Sequence, residues 1–328
     1  MGQERIHIVI GILKNNRGQV LLAKRHSDVH QGGLWEFPGG KMENNETVDT
    51  ALNREIYEEL GTKILQYRPL IKLNYDYPER KVLLDVWLIN QWQGEIFGRE
   101  GQSVEWIYIQ DLNGKKFPPA NESIVKALQF PSLYLICPGP VSDMNSYLDK
   151  IEKLVKTGAN IIQLRCRERI FKENPFIIDQ ISEICSRYDT RLLLNSSPAN
   201  VLVRKAQGVH LSSARLLQLN ERPLDSKYIV AASCHNMNEI IHAGKLGLDF
   251  AVLSPVEKTS SHPHAIPLGW EKFESIVENA VIPVYALGGM KSVLLKKSWE
   301  HGAQGLAILS GVWQAENPVE VIRQCLIN

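Results

Sequence analysis

The sequence predicts two domains. Residues 1–130 read as an α+β unit with a mixed sheet between helices, and residues 131–328 as a compact (β/α)8 barrel. Three observations predict this. The chain has 328 residues, the length of about two domains. Up to residue 130 its apolar segments run strand, strand, loop, helix, strand, strand, strand, helix. Beyond Pro131 and the punctuating Cys137-Pro138-Gly139-Pro140, eight short apolar strands alternate with helical stretches.

In the first domain, residues 6–13 are apolar and β-branched, Asn15-Asn16-Arg17-Gly18 is a turn, and 19–23 is a second strand. Together these read as a hairpin. A polar loop over 27–33 leads through Leu34-Trp35-Glu36-Phe37 and Pro38-Gly39-Gly40 to a helix. Residues 65–77, 81–91 and 104–109 read as further strands, and 123–129 as a closing helix. In the central helix Asn44 and Asn45 are N-cap candidates and Gly61 suits the left-handed C-terminal position. Val48, Ala51, Leu52, Ile56 and Leu60 form one apolar face. At about 100° per residue, Glu55 and Glu59 fall on that same face, with Glu58 at its edge.

A solvated charged face would set its acids opposite the apolar stripe, with bases at i+4. Arg54 and Glu58 fit that description; Glu55 and Glu59 do not. Carboxylates turned inward repel one another and lose hydration, a cost that a divalent cation removes. Oxygen-only ligands suit Mg²⁺ or Mn²⁺ rather than zinc.

Residues 40–61, GKMENNETVDTALNREIYEELG, resemble the Nudix box at Gly40, Glu46, Arg54-Glu55-Ile56, Glu58-Glu59 and Gly61. Thr62 departs from it, standing where an apolar residue is usual. The segments EFPGGK (36–41), YPER (77–80), EGQ (100–102) and FPPANE (117–122) extend the resemblance to the MutT-like Nudix hydrolases. That resemblance implies a Nudix fold and a nucleoside triphosphate pyrophosphohydrolase acting on oxidised guanine nucleotides, such as 8-oxo-dGTP. It implies Glu55, Glu58, Glu59 and Glu100 as ligands of Mg²⁺, or of Mn²⁺, with the Gly39–Gly40 backbone contributing. Either Glu55 or Glu100 would take the proton of the attacking water. Arg54 would hold a box carboxylate in place, with Glu46 in a similar supporting role. Arg25, Glu36, Phe37, Arg80 and Asn121 become the candidate nucleotide contacts, with Leu83 beside Phe37 as a wall for the base. Asn121 also reads as an N-cap of the closing helix.

The eight barrel strands fall at 133–136, 161–164, 192–194, 208–211, 228–231, 250–253, 283–286 and 305–308, with helices between most of them, as at 143–157, 236–246 and 269–279. A doubly wound sheet is the alternative; the count of eight favours the TIM barrel. Its C-terminal strand ends carry Gln163-Leu164-Arg165, Asn195-Ser196, His210, Ser233 and Ser254. Gly288-Gly289 and Ser310-Gly311 follow the last two strands and form a candidate phosphate site. GANIIQLR, QGVHLS, PVYALGGM and GLAILSGVW resemble the thiamine phosphate synthase and TenI-like family. In the synthase pattern an acid follows the strand-three Asn, and another follows the strand-four His-Leu, to hold Mg²⁺ against pyrophosphate. Here Ser196 and Ser212-Ser213 stand there, and Arg167 replaces a lysine. The tautomerising histidine of TenI-like proteins falls near Pro255, with His262 and His264 in the following loop. The expectation is a degenerate barrel that keeps a site for a phosphorylated small molecule. The alternatives are a second enzyme making thiamine phosphate and a ligand-sensing or scaffolding module.

Hydrophobic residues make up 44% and charged residues 22%, ordinary for a globular chain. A net charge of +1 gives no field to recruit a nucleic-acid polymer or a membrane. No stretch approaches the apolar length of a membrane span. Cys137, Cys166, Cys185, Cys234 and Cys325 form no CxxC pair and read as free thiols of a cytoplasmic protein. Oligomeric state is not fixed by the sequence.

Overall fold

A computed structural model describes residues 5–26, 31–139, 143–165, 175–259 and 264–326. The chain divides into two compact units, Met1–Phe130 and Pro131–Asn328. Arg167 and His262 lie outside the described residues.

The first unit is built on a mixed four-stranded sheet in the order β4-β1-β6-β5: β1 is Ile6–Leu13, β4 Gly39–Lys41, β5 Lys63–Asp76 and β6 Lys81–Gln93. The β1–β6 pair is parallel and the others antiparallel. A second, antiparallel sheet orders β3 (Trp35–Glu36), β2 (Gln19–Lys24) and β7 (Val104–Tyr108). The expected hairpin is therefore only a turn. Gly18 N donates to Asn15 O, but β1 and β2 part into different sheets after a single bridge between Lys14 and Val20.

Helix α1, Val48–Leu60, covers one face of the four-stranded sheet, where Leu52, Ile56 and Leu60 pack with Leu13 and Ile89. The other face packs Ile10, Ile12, Val82, Leu84 and Phe37 against Ile124 and Val125 of α2, Asn121–Gln129. Side chains alternate along a strand, so Leu83 points away from Phe37 and does not share a wall with it. The N-cap of α1 is Thr47, whose Oγ1 accepts from Thr50 N at 3.2 Å, rather than Asn44 or Asn45. Asn45 instead turns the chain with φ 69°. Gly61 ends the helix in the left-handed region. Thr62 is tolerated in its fully buried position because Oγ1 donates to Gln93 O at 2.8 Å.

The second unit closes eight parallel strands into a barrel in the order β10-β11-β12-β13-β14-β15-β8-β9. They are β8 Leu133–Pro138, β9 Ile161–Arg165, β10 Arg191–Leu194, β11 Gly208–Leu211, β12 Ile229–Cys234, β13 Phe250–Leu253, β14 Val284–Ala286 and β15 Gly305–Ile308. Tyr134, Phe250 and Tyr285 pack edge to face inside the barrel. Cys137, Cys185, Cys234 and Cys325 are buried free thiols. Among the described residues no helix is long and apolar enough to cross a membrane.

Candidate functional site

In the first unit the geometry centres on Arg54. Its Nε and Nη2 donate to the two carboxylate oxygens of Glu46 at 2.8 and 2.9 Å. Its Nη1 donates to Glu55 at 2.8 Å and to Glu58 at 3.1 Å, and Nη2 also reaches Lys41 O at 3.0 Å. These bonds hold the Glu46 carboxyl down at about 2. One guanidinium thus fixes three acids of one helix and its approach, with the bidentate bond setting its plane.

The inner carboxylates are electrostatically crowded. Burial, then the charges of Glu36, Glu100 and Glu55, push the Glu59 carboxyl up to about 8, although Gly39 N–H donates to it at 3.3 Å. Burial also raises Glu55, against Arg54, and raises Glu36, against Arg25. Glu100 reaches this group from the β6–β7 loop, which is fastened to the end of α1: Arg99 N and Gln102 Nε2 both donate to Glu59 O, at 2.9 and 3.2 Å. His26 Nε2 donates to Glu100 O at 3.1 Å. The EGQ segment pointed to this loop; the fastening by Arg99, Gln102 and His26 was not legible in it. Gly40 lies so close to Glu55 that a Cβ there would fall on its carboxyl group.

Among the described residues no three acids, histidines or cysteines already converge as a chelating group. Glu55 and Glu58 are turned to Arg54 instead. The donor set nevertheless fits a hard divalent cation: Glu55, Glu59 and Glu100 offer only oxygen, and their mutual repulsion is what such a cation offsets.

Arg25 Nη1 donates to Glu36 in a close ion pair, while Arg25 Nε is buried with no hydrogen-bond partner among the described residues. Phe37 stacks on Phe117, with centroids 5.6 Å apart and planes 12° from parallel. Phe117, the first residue of FPPANE, had no role in the sequence reading. Arg80 lies over Tyr77, 5.8 Å from its centroid. The cap of α2 falls on Ala120, which makes no side-chain cap, so Asn121 is the first helical residue and not the cap; its side chain is buried.

The barrel holds a cavity of about 780 Å³ lined by residues at the C-terminal ends of its strands, among them Gln163, Arg165, Asn195, His210, Ser233 and Ser254. Gly288, Gly289 and Ser310 line it and Gly311 does not. Gly288 and Gly289 take φ of 98° and 72°, and a Cβ at either would meet the 255–258 backbone, so the pair is required by the turn itself. No aspartate or glutamate lines the cavity among the described residues. Ser196 is buried and donates to Ser197 O at 3.2 Å, and Ser212 Oγ caps the next helix by accepting from Arg215 N at 3.4 Å. His264 is described and exposed. Sequence reading gave no part to Tyr134, whose hydroxyl bonds both Gln163 and His210.

Comparison with known families adds to this geometry. The family described as NUDIX domain matches residues 9–127, and the family described as thiamine monophosphate synthase matches residues 133–312. An 8-oxo-dGTP diphosphatase of Escherichia coli (strain K12) is 38% identical over 126 residues, covering 38% of this chain and 98% of the relative. A putative thiamine-phosphate synthase 2 of Aquifex aeolicus (strain VF5) is 33% identical over 183 residues, covering 56% of this chain and 98% of the relative. A solved structure from work on MutT of Aliivibrio salmonicida and Vibrio cholerae is 37% identical, with a TM-score of 0.35, covering 39% of this chain and all of that one.

Proposed function

We propose that this chain, which belongs to the NUDIX-domain family through its first unit and to the thiamine monophosphate synthase family through its second, is a Mg²⁺-dependent hydrolase that converts 8-oxo-dGTP to 8-oxo-dGMP and pyrophosphate. Its Nudix unit is a nucleotide hydrolase. The observation that carries the finer reading is the gathering of Glu55, Glu59, Glu36 and Glu100 from three segments of the chain. Glu55, Glu58, Glu59, Glu100 and the Gly39 backbone would hold the cation, with Mn²⁺ as its substitute. The chemistry a bound cation supplies is neutralisation of the triphosphate and a more acidic water.

The chain's own groups do the rest. A water oxygen bonds to the β phosphorus, the bond from that phosphorus to the α–β bridging oxygen breaks, and the monophosphate leaves with that oxygen. Glu55 or Glu100 accepts the water's proton. Arg54 keeps Glu55 oriented. Arg25 has a buried Nε to offer a phosphate or sugar oxygen. Arg80 is a contact for the base or its pocket. The Phe37–Phe117 stack supports an apolar wall, and Asn121 both donates and accepts, as reading an oxidised purine edge requires. The test is kinetic: kcat/KM for 8-oxo-dGTP, dGTP and dihydroneopterin triphosphate with Mg²⁺ and with EDTA. 8-oxo-dGTP is expected to lead, and EDTA to abolish turnover. Equal kcat/KM for dGTP would remove the specificity.

The barrel, in the same reading, is a degenerate synthase that retains a site for a phosphorylated small molecule beside Gly288, Gly289 and Ser310. Support comes from the described lining of its cavity, which contains no aspartate or glutamate. Thiamine phosphate formation by the full chain from its two precursors would overturn the degeneracy. The protein is proposed to work in the cytoplasm.

A further inference from the structure

The last turn of α1 is closed by the loop that carries Glu100. A helix leaves its final carbonyls without partners of its own. At the end of α1, Leu60 O accepts from Phe97 N at 3.4 Å and Glu59 O from Arg99 N at 2.9 Å. Arg99 Nη1 adds a bond to Tyr57 O at 3.0 Å, and its guanidinium lies 5.1 Å from the Tyr57 ring centroid. These contacts tie the loop to the helix, and none of them holds Glu100 itself.

The Gln102 side chain does. Its Nε2 donates to Glu59 O at 3.2 Å, and its Oε1 accepts from Glu100 N at 2.9 Å. The partners fix the orientation of this amide. A backbone carbonyl only accepts and a backbone N–H only donates, so turning the amide over would break both bonds. One side chain therefore spans the backbones of two acids of the candidate cation site. Glu100 lies in a tight turn that Gly101 N closes by donating to Gly98 O at 3.4 Å. Gly98 leaves the room this needs, since a Cβ there would collide with the Gln102 carbonyl. His26 Nε2 donates to Glu100 O at 3.1 Å, so side chains hold the Glu100 backbone at both its N–H and its carbonyl.

We infer that Gln102 is a positioning residue of the Nudix site: its amide sets the Glu100 backbone against the end of α1, so that the Glu100 carboxylate is placed beside Glu59 before a cation arrives. This rests on the reading of Glu100 as a cation ligand and adds what holds it there. Gln102 acts through Glu100. Arg99 is the contrast, because its side chain fastens the same loop to Tyr57 rather than to Glu100.

Mn²⁺ binding to the full chain without nucleotide tests it, followed by the electron paramagnetic resonance signal of the free ion. Wild type is compared with Glu100→Gln, Gln102→Met, their double variant and Arg99→Met. Methionine is unbranched and flexible, so it fills the space of Gln102 while making neither bond. Glu100→Gln is expected to weaken Mn²⁺ binding most. Gln102→Met should weaken it about tenfold, the lower end of the usual cost of losing a group that orients a ligand. The double variant should bind no worse than Glu100→Gln alone, a non-additivity that a merely structural role would not produce. Arg99→Met should lower the thermal midpoint and leave the Mn²⁺ affinity unchanged. Thermal midpoints in EDTA report that each variant is folded. Unchanged binding in Glu100→Gln would overturn the reading of Glu100 as a ligand, and the inference with it. Weakened binding in Glu100→Gln with full affinity in Gln102→Met would overturn the inference alone. Additive losses in the double variant, or an equal loss in Arg99→Met, would make Gln102 a general stabiliser of the loop and reject its positioning role.

Discussion

Arg54 grips Glu46 with two parallel hydrogen bonds, from Nε and Nη2, while its remaining nitrogen reaches Glu55 and Glu58. The carboxylate of Glu46, which precedes the helix, therefore sets the plane of the guanidinium that orients the helix's own acids. Glu46→Gln keeps the shape but gives up the charge and one acceptor oxygen. On the proposed role, kcat for 8-oxo-dGTP should fall roughly 10- to 100-fold, the usual cost of losing a group that orients a ligand. Circular dichroism should be unchanged. Wild-type kcat in Glu46→Gln would mean that Arg54 needs no such anchor.

Gly40→Ala probes the same carboxylates from the other side. The added Cβ would fall on the Glu55 carboxyl group, the movable end of a flexible side chain. The fold should absorb the change while Glu55 is displaced. Displacement by about 1 Å is enough to cost on the order of 100-fold in turnover. We expect kcat to drop by at least tenfold with little shift in the unfolding midpoint. A large loss of stability with unimpaired kcat per folded molecule would contradict the placement of Glu55.

These two positions also show how far the sequence could be read. The i, i+3, i+4 spacing identified α1, and the same wheel turned Glu55 and Glu59 toward the sheet. The N-cap was misplaced because Asn44, Asn45 and Thr47 are all capping residue types, and residue type alone does not say which of them starts the helix. Leu83 was assigned to the wrong wall because a strand's inward face depends on its register, which a short apolar run does not fix. In the barrel, the strand count was legible in eight apolar runs. The Gln163–Tyr134–His210–Ser233 hydrogen-bond chain was not, since its members come from four different strands and meet only on closure.

Asn121 carries the most specific expectation in the Nudix unit. It is buried, it begins α2, and the cap position belongs to Ala120. Its amide is therefore not committed as the helix cap that the sequence also allowed. Asn121→Ala should cut the preference for 8-oxo-dGTP over dGTP by roughly one to two orders of magnitude, as for a lost hydrogen-bond pair in a desolvated site. The ratio of the two kcat/KM values is the measurement. An unchanged ratio with both substrates slowed alike would make Asn121 a packing residue.

His210 gives the barrel a pH dependence of its own. Burial, with Arg165's charge acting the same way, holds its folded pKa down to about 3, below the value of about 6.5 for an exposed histidine. Between those values the unfolded chain binds a proton that the folded chain does not, so stability rises with pH across this window. The contribution is complete above about pH 6.5 and is lost as pH falls toward 3. The slope is about 1.4 kcal/mol per pH unit, or about 2 kcal/mol by pH 5. His210→Gln removes this titration, and the other groups cancel in the comparison with wild type. Urea unfolding resolved by hydrogen exchange on barrel peptides, at pH 7 and pH 5, should therefore show a smaller acid loss in the variant. Identical losses would mean that His210 is protonated in the folded barrel well above pH 3. The imidazole would then carry a proton on both nitrogens at pH 5, with Nδ1 donating to the Tyr134 oxygen.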